Sequence, residues 1–413
     1  MGAPRNELPF CESGLAQLDV SALSAGFSAY VHIPFCSVRC GYCDFNTYTN
    51  LDFGAGASAH RFAQTIICEI QHSAQVLRGA PTPALTSVFF GGGTPTLLPA
   101  GNIVAILDAL RSTFGIQAGA DITVEANPES VSAKSLAELQ AGGVNRISFG
   151  MQSACEHVLS TLDRHHTPGQ VQAVTAMARE LNLEYSLDLI YGTPGESLDE
   201  WKASLAAAIA LSPGHISAYA LTVEPHTPMG RRIERAEITE PDPDDQADKY
   251  IIADELLSAA GYQWYEISNW ALPGHESRHN LNYWREGHWW GYGPGAHSHI
   301  AGRRWWNVKH PIAYARALGQ FPVGGSGDDP GCESALPIDD GEQLTVEQIR
   351  EEHIMLGIRL REGIAQPAGT PARVVAELVA DGLLEPEQAV AGRLVLTLRG
   401  RLLADVVTRA LWA

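Results

Sequence analysis

Three cysteines lie close together near the amino terminus. Cys36, Cys40 and Cys43 form a C-x3-C-x2-C pattern on a short loop that directly follows a strand-like segment beginning at Tyr30. Three thiolates can bind three irons of a cubane 4Fe-4S cluster and leave the fourth iron without a protein ligand, whereas an electron-transfer cluster normally uses four cysteines. The spacing therefore predicts a 4Fe-4S cluster with one open iron. A zinc site is the alternative and needs a fourth ligand, but strand alternation can point the neighbouring His32 away from the loop.

Polar residues also fall at the ends of several strand-like segments. They are the Gly91-Gly92-Gly93-Thr94 turn after the second segment, Glu125 at the end of the third, Gln152 at the end of the fourth, and Asp188 in the fifth. In parallel β/α folds the ends of the strands share one rim, where ligands bind. Each residue alone also fits a plain turn or a satisfied internal polar group. Together they predict a ligand site, in which Asp188 pairs with a ligand or with Arg164.

Regular β/α repetition would position these residues. Apolar, β-prone runs occur at 30–34, 86–90, 121–125, 145–150, 185–190 and 215–221. Helical patterns lie between them at about 58–78, 101–113, 132–141, 169–182 and 198–210. This alternation predicts an α/β fold with parallel strands in a partial (β/α)6 barrel. A complete eight-unit barrel is the competing arrangement, but the rhythm stops after residue 222.

The rest of the chain divides by composition. We predict an N-terminal tail at 1–27, a β/α core at 28–230, an aromatic-rich extension at 231–321, a Gly-, Asp- and Pro-rich linker at 322–342 and a small helical domain at 343–413. Helical patterns near 345–361, 371–381 and 400–411 build the last domain. The strand-like run at 393–398 would serve as a wing, so we expect a winged-helix-like module.

Composition limits the range of functions. The 413 residues carry a net charge of −19, which argues against nucleic-acid binding because phosphate contacts need a basic surface. The sequence shows neither an apolar run long enough to span a bilayer nor a secretory signal at the amino terminus, so we expect a soluble cytoplasmic protein. Seven cysteines, three of them in a metal-type spacing, suit a reducing compartment.

Several motifs resemble known proteins. The cysteine spacing resembles that of the radical S-adenosylmethionine (SAM) superfamily. The wider set, Tyr30-Val-His-Ile-Pro-Phe-Cys36, Gly91-Gly-Gly-Thr-Pro-Thr96, Val124-Glu-Ala-Asn-Pro-Glu129, Ser148-Phe-Gly-Met-Gln-Ser153 and Asp188-Leu-Ile-Tyr-Gly-Thr-Pro-Gly195, resembles the oxygen-independent coproporphyrinogen III oxidase family. The resemblance implies a radical SAM barrel with the cluster on Cys36, Cys40 and Cys43. It also implies that SAM is contacted by Tyr30, Gly92, Gly93, Thr94, Glu125, Gln152, Arg164 and Asp188.

Two differences separate the branches of this family. The decarboxylating oxidases resemble C-x3-C-x2-C-x-C, and Phe45 stands at the position of the fourth cysteine here. The run His279-Asn280-Leu-Asn-Tyr283-Trp284 is similar to the H-N-x-x-Y-W signature of a haem-chaperone branch. An imidazole can bind haem iron and aromatic rings can pack on a porphyrin, so these four residues are the haem-binding candidates. His297 and His299 are rival axial ligands.

The resemblance implies a haem chaperone with a SAM-bound cluster that delivers haem to client apoproteins. Peripheral membrane contact and a homodimer are open expectations. The second hypothesis is an enzyme that decarboxylates coproporphyrinogen III through a 5'-deoxyadenosyl radical. A third is another radical SAM enzyme with an unrelated substrate, because one fold supports many chemistries.

Overall fold

One large sheet organises the protein. The computed structural model describes Leu15 and residues 18–54, 56–78, 83–320 and 335–412. Six parallel strands follow one another in chain order across the centre of the sheet. They are β1 (Ser28–Ile33), β2 (Leu85–Gly92), β3 (Ile116–Ala126), β4 (Arg146–Gln152), β5 (Glu184–Tyr191) and β6 (His215–Ala220). The predicted partial (β/α)6 barrel is therefore confirmed.

Helices connect these strands. They are α1 (Phe62–Val76), α2 (Ala100–Phe114), α3 (Ala133–Ala141), α4 (Glu156–Thr161), α5 (Pro168–Glu180) and α6 (Leu198–Ala210). Ser132, Thr167 and Ser197 each accept a hydrogen bond from the backbone N–H three residues later and form capping boxes, which fix the starts of α3, α5 and α6. The apolar faces of the helices and strands form one core cluster.

The aromatic-rich extension continues the same sheet. It supplies α7 (Pro228–Glu234), α8 (Pro243–Ala259), β7 (Gln263–Glu266), β8 (Asn269–Ala271), α9 (Arg278–Trp284), β9 (Trp289–Tyr292), β10 (His297–Ile300), β11 (Arg303–Asn307) and α10 (Pro311–Ala317). Strand β9 pairs parallel with β1, and β8 pairs antiparallel with β6. The extension thus covers both edges of the six-stranded unit and is not a separate layer.

Two predicted segments differ from the structure. In the predicted linker, 322–334 lie outside the described residues, but Ile338–Gln343 forms β12 and pairs with β11. This edge strand is polar, so the alternation that would reveal a strand is absent. In the predicted tail, a 3-10 turn at Val20–Ala25 precedes β1, and Leu23 and Phe27 are fully buried in the core. Scattered apolar residues without a period can still pack into a core.

The carboxyl-terminal part has a core of its own. It contains α11 (Val346–Gly357), α12 (Ala372–Ala380), α13 (Pro386–Val390), α14 (Leu398–Leu402) and α15 (Ala404–Trp412), with a two-stranded ribbon of β13 (Ile364–Ala365) and β14 (Arg393–Leu394). The predicted strand at 393–398 is shorter because α14 begins at Leu398. None of the described helices combines the length and apolar content needed to cross a bilayer.

Candidate functional site

A cavity of about 700 Å³ occupies the inside of the barrel. It extends from the cysteine loop to helix α9. All eleven residues predicted for the cluster and SAM line it, and so do three of the four haem candidates; they are Tyr30, Cys36, Cys40, Cys43, Gly92, Gly93, Thr94, Glu125, Gln152, Arg164, Asp188, His279, Asn280 and Tyr283. Residues that lie between positions 30 and 283 of the chain thus surround one cavity.

The cysteine loop is held by backbone hydrogen bonds. The N–H of Cys36 donates to the carbonyl of Tyr48 (3.0 Å), and the N–H of Cys43 donates to the carbonyl of Cys40 (3.2 Å). All three thiols are free. Because the loop begins where β1 ends, the thiols face the cavity at the carboxyl end of the parallel strands, as the sequence predicts.

The surroundings of Cys36 and Cys43 favour the neutral thiol until a cation is bound. Burial raises the pKa of Cys36 to about 11 and also raises the pKa of Cys43. Iron would reverse that preference, because a coordinating thiol is deprotonated. Among the described residues, no three His, Cys, Asp or Glu side chains are placed to hold a single metal ion. A cubane does not need such convergence, because each thiolate binds an iron of its own.

A chain of polar side chains joins two of the cysteines. The Nη2 of Arg164 donates to Oδ1 of Asn127 (2.6 Å), and Nδ2 of Asn127 donates to Oγ1 of Thr94 (3.0 Å). The hydroxyl of Thr94 lies 4.0 Å from the sulfur of Cys36, and Nη1 of Arg164 lies 3.6 Å from the sulfur of Cys40. Arg164 therefore belongs to the cluster end of the cavity.

The glycine turn after β2 packs tightly against the start of the cysteine loop. Gly92 has a φ of +107°, and a Cβ there would clash with the ring of His32. The N–H of Gly93 donates to the carbonyl of Ile33 (2.8 Å), and a side chain at Gly93 would collide with backbone carbonyls. The glycines are thus required by close backbone approach, which explains why the turn reaches the cavity.

Two carboxyl groups face the interior. Glu125 accepts a hydrogen bond from the N–H of Gly92 (3.2 Å), and burial together with the charge of Asp188 raises the pKa of Glu125 to about 8. Asp188 accepts from the hydroxyls of Ser148 (2.8 Å) and Ser217 (2.7 Å), although burial raises its pKa as well. The two serines, and not Arg164, are its hydrogen-bond partners. A cationic ligand group would stabilise both carboxylates.

Tyr30 and Gln152 also line the cavity. The hydroxyl of Tyr30 lies 3.0 Å from Nδ1 of His32, and its ring stacks on Phe89. Gln152 has a left-handed backbone with φ of +59° at the end of β4. A Cβ on Gly150 would lie 2.7 Å from Nε2 of Gln152, so the glutamine side chain packs directly over that glycine.

Helix α9 closes the opposite end of the cavity. His279 is 2% exposed. Its Nδ1 lies 2.8 Å from Oγ of Ser87 and its Nε2 lies 2.7 Å from the hydroxyl of Tyr283. Burial lowers the pKa of His279 to about 3, so the ring is neutral. Both nitrogens are engaged, and iron ligation would require one of these hydrogen bonds to break.

Asn280 and Trp284 of the signature bind a buried carboxylate, that of Glu266. Nδ2 of Asn280 donates to Oε1 of Glu266 (3.0 Å), and the side chain of Trp284 also hydrogen-bonds Glu266. The ring of Tyr283 meets that of His279 edge to face at 4.8 Å. In this conformation the signature therefore builds a network that fixes α9. Its assignment to haem remains a prediction.

The rival histidines differ in accessibility. His299 is 8% exposed, its Nδ1 lies 2.9 Å from the carbonyl of Gly287, and its Nε2 accepts from the N–H of Gly302 (3.1 Å). His297 is exposed at the start of β10 and stacks on Trp306.

Sequence reasoning missed several cavity residues. Asn127 lies inside the Val124–Glu129 motif, in which only Glu125 is predicted to contact a ligand. Ser217 is paired in register with Asp188, so strand alternation could have identified it. His215 and Arg146 are buried polar residues on strands that line the same cavity. Polar side chains inside strands were the available signal.

Comparisons with known proteins agree with this geometry. Residues 30–208 match the Radical SAM superfamily. A protein of Mycobacterium tuberculosis named Heme chaperone HemW is 45% identical over 388 residues, which cover 93% of this chain and 94% of that protein. The Escherichia coli protein of the same name is 39% identical and covers 70% of this chain and 75% of its own length.

A solved structure shows the same fold. The coproporphyrinogen III oxidase HemN of Escherichia coli, described as a radical SAM enzyme, superimposes with a TM-score of 0.77 at 22% identity and covers 95% of this chain and 92% of its own. The fold and the three-cysteine cavity define a radical SAM protein. Within that superfamily the chain belongs to the HemW family.

Proposed function

We propose that this protein is a cytoplasmic haem-binding chaperone that carries a 4Fe-4S cluster with SAM and delivers haem to apoproteins. The observation that carries the proposal is the match to relatives named Heme chaperone HemW over nearly the whole chain. The cavity supports it, because the residues expected for the cluster and SAM surround one space. The proposal includes peripheral contact with a membrane and a homodimer.

The residues fit the cofactors by their chemistry. Cys36, Cys40 and Cys43 would hold three irons, and the fourth would take the amino and carboxylate groups of SAM. A bound cluster would supply an electron and an open coordination site. The backbone of the glycine turn bounds the space for the nucleoside, while Glu125 and Asp188 present carboxyl groups to the ribose hydroxyls or the ammonium.

The haem would be bound by the extension at 231–321, which contains every histidine considered as a haem ligand. The partly buried rings of Trp289 and Trp306 and the exposed Lys309 of this extension are compatible with a porphyrin that carries two propionates. The alternative function, a coproporphyrinogen III oxidase, would instead require the porphyrinogen to bind inside the cavity next to SAM. Phe45 is 58% exposed at the mouth of the cavity, where the oxidase branch is expected to have a cysteine.

The proposal is tested on anaerobically purified protein with its cluster reconstituted. Titration with haem, followed by absorbance, should show saturable binding at one haem per chain. An assay of coproporphyrinogen III with SAM and reductant should show no decarboxylation above a cluster-free control. Transfer is measured by adding a haem-free apoprotein and following its absorbance. Turnover of the porphyrinogen without haem binding would overturn the proposal in favour of the oxidase.

A further inference from the structure

We propose that the carboxyl-terminal part of the chain is a latch that holds the signature helix α9 closed against the barrel, and that haem reaches His279 only when this latch opens. The latch consists of two side-chain pairs, Arg285 with Glu362 and Glu286 with His353. This role rests on the proposed haem-chaperone function and on the predicted haem-binding signature of α9, and it adds a regulation of that same site.

Helix α9 is in a closed state in the structure. His279 is 2% exposed, and its two ring nitrogens are occupied by Ser87 and Tyr283. A haem iron needs a free imidazole nitrogen and an open approach for the porphyrin. Haem binding by this helix therefore requires α9 to move away from the barrel, so the contacts that restrain α9 also control the access of haem.

The position of α9 depends on contacts with the rest of the protein. The helix has only seven residues, and a helix of this length is marginally stable by itself. Its start is fixed to β3, because the N–H of Arg278 donates to Asp121 (3.2 Å) and Nη1 of Arg278 donates to the carbonyl of Gly119 (3.0 Å). We therefore expect the end of the helix, and not its start, to open.

Two consecutive residues directly after α9 bind the carboxyl-terminal part. Nε and Nη2 of Arg285 donate to the two carboxylate oxygens of Glu362 at 2.9 Å each. Oε2 of Glu286 lies 2.7 Å from Nδ1 of His353 on α11. The side chains of Arg285 and Glu362 are about half exposed, so this pair can separate without disturbing the core. The end of α9 is thus held by contacts that are individually weak.

The carboxyl-terminal part also reaches α9 through strand β7. Leu360 forms an antiparallel bridge with Glu266 at the end of β7. The buried carboxylate of Glu266 in turn accepts hydrogen bonds from Asn280 and Trp284 of the signature. A displacement of the carboxyl-terminal part would therefore act on α9 from two sides, through the latch and through β7.

A groove beside α9 provides space for an outward shift of the helix. It has a volume of about 480 Å³ and lies on a different face of α9 from the barrel cavity, which contacts His279 and Tyr283. Residues three, four and seven positions apart share one face of a helix. The α9 residues along the groove follow this spacing and are Arg278, Leu281, Asn282 and, directly after the helix, Arg285.

The test uses full-length protein with reconstituted cluster. It follows the rate of ferric haem association by stopped-flow absorbance and the hydrogen exchange of α9 amides without haem. Arg285→Glu turns the pair with Glu362 into a repulsion and should raise both rates by about fivefold, because loss of an exposed pair increases the population of the open state. The double variant Arg285→Glu/Glu362→Arg restores the pair with reversed charges and should return both rates toward the wild type. Lys202→Glu, with the same change of charge in an exposed pair with Asp199 on α6, should match the wild type.

The sign of the effect distinguishes the latch from a direct contact between Arg285 and haem. If Arg285 bound a propionate, Arg285→Glu would weaken haem binding and the reversed pair would not restore it. That result, or wild-type rates in Arg285→Glu, would overturn the latch and leave the proposed chaperone function standing. Faster exchange of α9 without faster haem association would overturn the latch as well. Absence of haem binding by the wild type would instead overturn the proposed function itself.

Discussion

The guanidinium of Arg164 lies 3.6 Å from the thiol sulfur of Cys40, measured from Nη1 to Sγ. The same side chain is held by Asn127 through its other nitrogen at 2.6 Å. A fixed cation beside a cluster ligand stabilises the thiolate and, once iron is bound, favours the reduced cluster, which carries one more negative charge. Arg164 would therefore influence the reduction potential of a cluster bound to this loop.

Removing that cation should make the cluster harder to reduce. We expect Arg164→Met to lower the reduction potential by on the order of 50 mV, as estimated for one partly screened charge. The measurement is a potentiometric titration followed by electron paramagnetic resonance. Arg164→Lys should keep part of the effect, whereas Arg111→Gln, at an exposed arginine far from the site, should show none. Equal potentials in all variants would contradict the electrostatic role.

The ligand assignment of the cysteines gives a second prediction. Cys40→Ala should lose the cluster and the chelation of SAM together, because a cubane with two protein ligands is poorly held and the open iron disappears with it. Iron and sulfide analysis measures the first loss, and equilibrium dialysis with SAM measures the second. Cys155→Ala, at a partly buried cysteine outside the cavity, should retain both. Full iron stoichiometry in Cys40→Ala would disprove the assignment.

The pKa of Glu125 leads to a prediction for SAM binding. The carboxyl group is neutral below about pH 8 in the free protein and should ionise when the ammonium of SAM arrives. Binding then releases a proton, so SAM affinity should rise with pH up to about 8 and level off above it. Glu125→Gln should bind SAM more weakly than the wild type at pH 8, with a smaller difference at pH 6. Isothermal titration calorimetry at several pH values measures both effects.

Glu125 should also make the stability of the free protein depend on pH. SAM affinity should rise with pH, whereas stability should fall. The unfolded chain ionises Glu125 near pH 4.5 but the folded chain only near 8, so the wild type loses stability as pH rises through this interval. Glu125→Gln should therefore be more stable than the wild type at pH 8, by about 1 °C or more in Tm, with the difference vanishing below the unfolded pKa of 4.5. A variant less stable at pH 8 would show that the carboxylate is satisfied in the free protein.

Some parts of this site can be predicted from the sequence and others cannot. The cysteine loop and the glycine turn are local motifs, so their residues and their position at the ends of strands could be predicted. The partners of His279 could not, because Ser87 is 192 positions away and only the packed fold brings them together. The availability of a ring nitrogen depends on such contacts, and this is why sequence could name three candidate histidines without ranking them by accessibility.

Edges and termini of the fold were also less predictable. The central strands are buried on both faces and have a strong apolar signal, whereas β12 is an edge strand of polar composition. Its pairing with β11 depends on backbone hydrogen bonds that any sequence can make. Residues 231–307 add strands to both edges of the sheet, with β9 next to β1 and β8 next to β6. The local pattern of apolar residues does not show which strands become neighbours.

A buried ion pair joins the carboxyl-terminal part to helix α8 of the extension and can be tested in isolation. Both terminal nitrogens of Arg401 donate to the carboxylate of Asp254 at 2.7 Å, and the guanidinium lies 4.4 Å from the ring centroid of Trp264. The two charged side chains are 4% and 15% exposed. Removing one partner of such a pair leaves a buried charge without compensation.

We expect Arg401→Met to lower the free energy of unfolding by about 3–5 kcal/mol, and the double variant with Asp254→Asn to recover a large part of that loss. Urea unfolding followed by fluorescence measures both. The matched control is Arg285→Met, which breaks the bidentate pair of Arg285 with Glu362. That pair also links the extension to the carboxyl-terminal part but is about half exposed, so its loss should cost about 1 kcal/mol or less. Equal losses in the two single variants would mean that burial does not determine the strength of this junction.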